Sequence, residues 1–212
     1  RDKPMNVEAD SLKHDDPQQL TTFTGKVVMT KGSLVMKAAR MEVKQDKQGN
    51  QVAKLWADPG ERVWVTLGNA APVETAANAA GRWRVTLPAQ PASATPVELV
   101  AEGRNRLVVR DVLVGEVWLC SGQSNMEFRL RTAATAKEDI ASAEFPQIRQ
   151  LKVARNPRTT RQEEAPASWV VCSPATAGEF SAAGFHFVRE LWQSLRVPVG
   201  LINCSHGNSH VE

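Results

Sequence analysis

The chain has 212 residues, 42% of them apolar, with 26 Lys and Arg against 23 Asp and Glu. That length carries one sizeable domain or two small ones around a real core. No window approaches the ~18 apolar residues of a membrane span, and no dense basic run with interleaved aromatics marks a nucleic-acid partner. The whole positive excess lies in residues 1–54, with ten cations against seven anions, as a solvated exterior or a face suited to an anionic surface. Cys120, Cys172 and Cys204 lie far apart without zinc-type pairing, and are read as thiols, two of them ending apolar strand-like runs. The first residue is Arg1 and no signal peptide is visible, which fits a processed or trimmed chain, an exported mature protein being one way to obtain it.

In chain order, the first stretch runs to about Lys54. Thr22–Met29 and Ser33–Lys37 alternate with period two around a Lys31-Gly32 turn, which predicts half-buried antiparallel strands. Gln45 to Gln51 forms a polar tip. From Leu55 to Arg110 the pattern is that of a small β-sandwich, with strands at 62–67, 82–87, 97–101 and 106–109 between turn signals. Trp64 and Trp83 sit on two of these strands, as core or half-buried residues before sugar-stacking platforms.

From Asp111 onward strand and helix alternate. Val112–Cys120 is nearly continuous in apolar residues, which predicts a strand buried on both faces. A helix is expected over Thr135–Phe145 and a strand over Ile148–Val153. Ser181 caps a helix whose Phe185, Val188, Leu191, Trp192 and Leu195 recur at helical spacing, and Val199–Asn203 is the next buried strand. Strand–helix–strand order implies a parallel, doubly wound sheet. The predicted fold is therefore mixed β plus α/β, in segments 1–54, 55–110 and 111–212.

Sites in such sheets lie beyond the carboxyl ends of strands. Two loops fall there: Ser121-Gly122-Gln123-Ser124-Asn125-Met126 and Cys204-Ser205-His206-Gly207-Asn208-Ser209-His210. A glycine before Ser124 permits a tight turn that exposes the hydroxyl and frees backbone N–H groups for an oxyanion. Spacing alone does not separate this from the many serine–glycine turns without chemistry.

The run Gly115-Glu116-Val117-Trp118-Leu119-Cys120-Ser121-Gly122-Gln123-Ser124-Asn125-Met126-Glu127 closely resembles the nucleophile block of the sialate O-acetylesterases, a branch of the SGNH hydrolases. Asp58–Val63, Trp169–Pro174 and Val197–Asn203 extend the resemblance over roughly 55–212. It implies a partial SGNH-type α/β/α sheet and hydrolysis of O-acetyl esters on sugars of the sialic acid class, without metal or organic cofactor. Ser124 matches the nucleophile, its own N–H one oxyanion donor and that of Gly207 a second. Gln123, Asn125, His206 and Asn208 fall on the substrate loops. His206 and Asn208 depart from the tryptophan and glycine of the family's second block. The family takes its base from a later Asp-x-x-His block, and no Asp here is followed by His three positions on. His206 and His210 are accordingly read as loop residues and His186 as a helix residue. The implied site is incomplete.

Asp2–Asp10, Phe23–Val28 and Thr30–Ser33 resemble LptA, a periplasmic lipopolysaccharide-transport protein, over about residues 1–53. This implies the first strands of a β-jellyroll, and lipopolysaccharide or β-edge pairing as an alternative role. The change near Lys54 implies a chimera, a fusion or a misjoined reading frame. Both resemblances imply a periplasmic or secreted location.

Overall fold

The computed structural model describes residues 5–31, 34–45, 51–154, 160 and 167–207. Gly32, the tip residues 46–50, Asn208 and His210 lie outside the described residues. The chain divides into two compact units, Arg1–Ala89 with Val97–Val112, and Gln90–Pro96 with Leu113–Glu212.

In the first unit the period-two alternation forms β1 (Met5–Glu8), β2 (Ser11–Asp15), β3 (Leu20–Lys31), β4 (Leu34–Gln45) and β5 (Gln51–Trp56). They make an antiparallel sheet ordered β1-β3-β4-β5, with β2 sharing one edge of β3 with β1. The long β3 serves both partners because its register shifts between Thr24 and Val27, at Gly25 with φ +78°. There the N–H of Asp10 donates to the Gly25 carbonyl at 3.0 Å, and a Cβ at 25 would collide with the Asp10 carboxylate. One face buries Val27, Met29, Ala38, Met41 and Val43. Pairing of Arg40 with Trp56 and Met41 with Leu55 carries this sheet past the composition change at Lys54.

The second sheet holds β6 (Arg62–Leu67), β7 (Val73–Ala76), β8 (Ser93–Glu102) and β9 (Arg106–Val114), ordered β7-β6-β8-β9. Alternation on β6 buries Val63 and Val65 and turns Trp64 outward. Residues 82–87 differ from expectation: they form no strand. Both edges of β6 are already taken by β7 and β8. The segment is instead held through Thr75, whose hydroxyl donates to the Arg84 carbonyl at 2.7 Å, and Trp83 stays exposed. Between the two sheets, Asn105 grips the backbone of Lys37 on both sides, accepting from its N–H and donating to its carbonyl.

The second unit contains β10 (Glu116–Cys120), β11 (Phe145–Lys152), β12 (Trp169–Cys172) and β13 (Val199–Asn203), in the order β10-β13-β11-β12. The first three run parallel, but β12 is antiparallel to β11, so the sheet is mixed and not purely parallel. Helices are α1 (Ser124–Glu127), α2 (Ala136–Ala141) and α3 (Ala182–Leu195). The Ser181 hydroxyl accepts from the Gly184 N–H at 3.1 Å, the expected cap, and Arg196 ends α3 in the left-handed region at φ 57°. The apolar stripe of α3 buries Phe185 and Val188 with Ile148, Val199 and Leu201 of the sheet. Gly184 lets the helix sit close, since a Cβ there would lie 2.7 Å from the Leu201 side chain. Helix α2 stops at Ala141 and the chain is already a strand at Phe145, four residues before the expected end of helix.

The run 112–120 is not one buried strand. It breaks at Gly115, where a Cβ would run into the Pro198 carbonyl, and β10 then becomes an edge of the sheet. Val117 and Leu119 are 60% and 68% exposed. The registers align Val117, Gly200, Arg149 and Val171 in one row, and Leu119, Ile202, Leu151 and Trp169 in the next. Alternation puts both rows on the face away from α3. A strand's own apolar content cannot tell a central strand from an edge strand with one bare face.

Phe185→Ala should lower stability by about 3–5 kcal/mol through the cavity left under α3. Leu119→Ser on the open face should change it by no more than about 0.5 kcal/mol. Urea midpoints of the two variants check this; equal losses would mean that the open face is covered.

Candidate active site

The parallel pairing of β10 with β13 ends with Cys120 opposite Asn203. The ladder then runs on into the loops. The Cys204 N–H donates to the Cys120 carbonyl at 3.0 Å and the His206 N–H to the Gly122 carbonyl at 2.9 Å. The two loops singled out in the sequence are thereby held side by side by main-chain bonds. Gly122, at φ +149°, turns the first loop into α1, where a Cβ would press on Met126. The N–H groups of Glu127 and Phe128 donate to the carbonyls of Gln123 and Ser124 and close the turn.

Ser124 opens that turn, and Gln123, Ser124 and Asn125 are all exposed. Gly207 is buried against it: a Cβ at 207 would lie 3.4 Å from Ser124 Oγ and 2.7 Å from Glu127 Oε2. The Gly207 N–H donates to Glu127 Oε2 at 2.7 Å. The hydroxyl and the glycine of the two loops therefore meet, with a carboxylate between them. His206 is half-buried on the same loop. His186 lies on α3, edge-on to Phe185 and 3.6 Å from an Asp139 oxygen, in a different cluster.

Beneath the loops lies a polar network that the sequence reading did not single out. Asn203 Oδ1 accepts from the Ser205 hydroxyl at 2.6 Å and the Ser205 N–H at 3.1 Å. Lys152, ending β11, donates to Asn203 Oδ1, the Ser205 carbonyl and the Ser205 hydroxyl at 3.0–3.2 Å. Gln150 Oε1 accepts from Asn203 at 3.4 Å and from the Ser181 N–H at 3.1 Å. Gln150, Asn203 and Ser205 are buried, so each polar group must find such a partner. The Ser181 hydroxyl also lies 3.4 Å from the sulfur of Met126, which joins the α3 cap to α1. A cavity of about 170 Å³ opens over this network, lined by Glu127, Arg129, Gln150, Lys152, Thr176 and Asn203 among others. The signal in sequence was the Asn203-x-Ser205 spacing at a strand end.

The cysteines are free thiols. Burial pushes the Cys172 thiol up to about 12, with the Glu144 charge adding to it. Burial, then the neighbouring Cys204, raises Cys120 as well. Neither serves as a thiolate nucleophile near neutral pH. Among the described residues, no group of three His, Cys, Asp or Glu side chains gathers as metal ligands.

The structure resembles the crystal structure of a carbohydrate acetylesterase from Xanthomonas citri, with a TM-score of 0.70 and 38% identity, over 74% of this chain and 37% of that one. Mouse sialate O-acetylesterase is 29% identical over 185 residues, covering 76% of this chain and 33% of its own. Residues 6–107 match the family model described as LptA/(LptD N-terminal domain) LPS transport protein. The lipopolysaccharide export system protein LptH of Pseudomonas aeruginosa is 40% identical over 50 residues, 24% of this chain and 29% of its own. The chain resembles both families. It is acetylesterase-like in sequence and fold, and spans about a third of the length of the sialate O-acetylesterase it matches. No described helix is long and apolar enough to cross a membrane.

The Asp139 cluster yields a pH prediction. Burial works to raise the Asp139 carboxyl, but hydrogen bonds from Thr135 and Arg189 and the charges of Arg189 and His186 outweigh it, holding it below the usual carboxylate range. Arg189 Nη1 donates to Asp139 at 2.6 Å and ties α2 to α3. A carboxyl depressed by folding contributes stability above its unfolded value, ~3.9, and loses it as pH falls through the folded value. Asp139→Asn should therefore unfold at lower urea than the parent at pH 7. The gap should narrow as pH falls below the unfolded value and through the lower folded one; a gap independent of pH would contradict the pairing.

Proposed function

We propose that this chain carries the nucleophile half of a carbohydrate O-acetylesterase acting on O-acetylated sugars of the sialic acid class. The single observation behind this reading is the meeting of exposed Ser124 with Gly207 across two loops held by the β10–β13 ladder. Ser124 Oγ attacks the acetyl carbonyl, its proton passes to a base, and the sugar oxygen leaves to give an acetyl-enzyme. Water then releases acetate. The N–H groups of Ser124 and Gly207 serve as oxyanion donors, and Gln123, Asn125 and His206 border the sugar.

The base is the weak point. His186 belongs to the Asp139 cluster, and no Asp of the sequence is followed by His three positions on, the spacing from which the resembled esterases take their base. Without a base the hydroxyl stays un-ionised near neutral pH, a loss of typically ~10²–10⁴ in rate. The chain should turn over little or no aryl acetate, yet a fluorophosphonate should label it slowly, and Ser124→Ala should remove the label. Robust turnover that Ser124→Ala abolishes would mean that a base such as His206 is present after all.

A second reading is favoured by the family match over residues 6–107: lipopolysaccharide binding or β-edge pairing through the first unit, in a periplasmic setting. Its apolar face of Val27, Met29 and Met41 would then take acyl chains. Binding of fluorescent lipopolysaccharide to the full chain, weakened by Met29→Asp in a protein that keeps its β-sheet signal, is the expected outcome. No binding would leave the first unit without that role.

A further inference from the structure

The Gly207 N–H carries two competing claims. As an oxyanion donor it must face the tetrahedral oxygen at about 2.7–3.1 Å. In the folded chain it donates at 2.7 Å to Glu127 Oε2, a full carboxylate oxygen of the same acceptor type. Glu127 stands three residues after Ser124, one turn along α1, so its side chain lies on the same side of that turn. A Cβ at Gly207 would touch both Ser124 Oγ and Glu127 Oε2. One N–H cannot serve two anionic oxygens, and a carboxylate beside a developing oxyanion also repels it.

The loop has anchors besides Glu127. Main-chain bonds from Cys204 and His206 fix it to the first loop, and Lys152 and Asn203 hold Ser205 from beneath. The bond between Glu127 and Gly207 is therefore one of several that hold the segment.

We propose that Glu127 is a further residue of the acyl site: its carboxylate occupies the oxyanion position at Gly207 N–H in the resting protein and withdraws when an acyl group arrives. This rests on the reading of Ser124 as nucleophile. The position accepts small carboxylates as a class, acetate among them, once the side chain is removed. A tethered carboxylate excludes free acetate from the position by effective concentration. Glu127 thereby guards the site against its own product.

The test uses the full chain with Glu127→Ala and Glu127→Gln. Backbone NMR follows the Gly207 amide during titration with sodium acetate, against sodium chloride at equal ionic strength. The expected result is a saturable shift in Glu127→Ala and none in the parent. Fluorophosphonate labelling of Ser124 should then quicken in the order Ala, Gln, parent, with the alanine variant about 10- to 100-fold above the parent. Glutamine keeps the shape without the charge, so it guards against a folding artefact. An unmoved Gly207 amide in a folded Glu127→Ala protein overturns the proposal, as does slower labelling, which would make Glu127 a support for the loop. Acetate binding with no labelling in any variant would sustain the carboxylate position while removing Ser124 as nucleophile.

Discussion

The second unit depends on one pairing: five residues of β10 laid parallel to five of β13, in a register that sets Cys120 beside Asn203. Parallel strands have no turn to fix their register, so it must come from what lies between and below them. Here Gly115 meets Pro198 at one end, and α3 presses Phe185 and Val188 against the alternate residues of β13 in the middle. At the other end the ladder continues into the loops through Cys204 and His206. A slip of one residue would turn Leu201 from the core to the open face and part Ser124 from Gly207 at the same time. Fold and site are here one constraint.

Much of this could be read from the residues, and the parts that could not share a physical cause. Helix α3 was legible because its cap, its apolar spacing and its length all agree at Ser181–Leu195. Strand β13 was legible from Pro198 followed by an apolar run. Residues 82–87 alternate as well as β6 does, yet form no strand, because a strand exists only where a partner edge remains open to it. The same holds for the antiparallel β12 and for the exposure of Val117 and Leu119: neighbours decide them, and the paired residues lie 18 to 27 positions away for β12 and 83 for β10. At the candidate site, Ser124 and Gly207 were singled out through the family resemblance. The bond from Gly207 to Glu127 spans 80 residues, and the network under it joins Gln150, Lys152, Asn203 and Ser205 from two strands. No local pattern announces such a contact.

The polar network also explains why a lysine can lie within the sheet. Lys152 finds three oxygen acceptors from Asn203 and Ser205, and Asn203 in turn accepts from Ser205 and donates to Gln150. Partly satisfied, such a group would be costly; satisfied on several sides, it stiffens what it touches. The loop that carries Gly207 is thus held from below by charge and from the side by main chain.

The bare sheet face has a consequence for the molecule in solution. Val117, Leu119, Trp169 and Val171 present an oily plane to water, and the Trp169 ring reaches Gly200, where a Cβ would lie 3.0 Å from it. Covering such a plane would return the water held over it to the bulk. Whatever covers that plane also braces β10 from behind, and through it the serine at its far end.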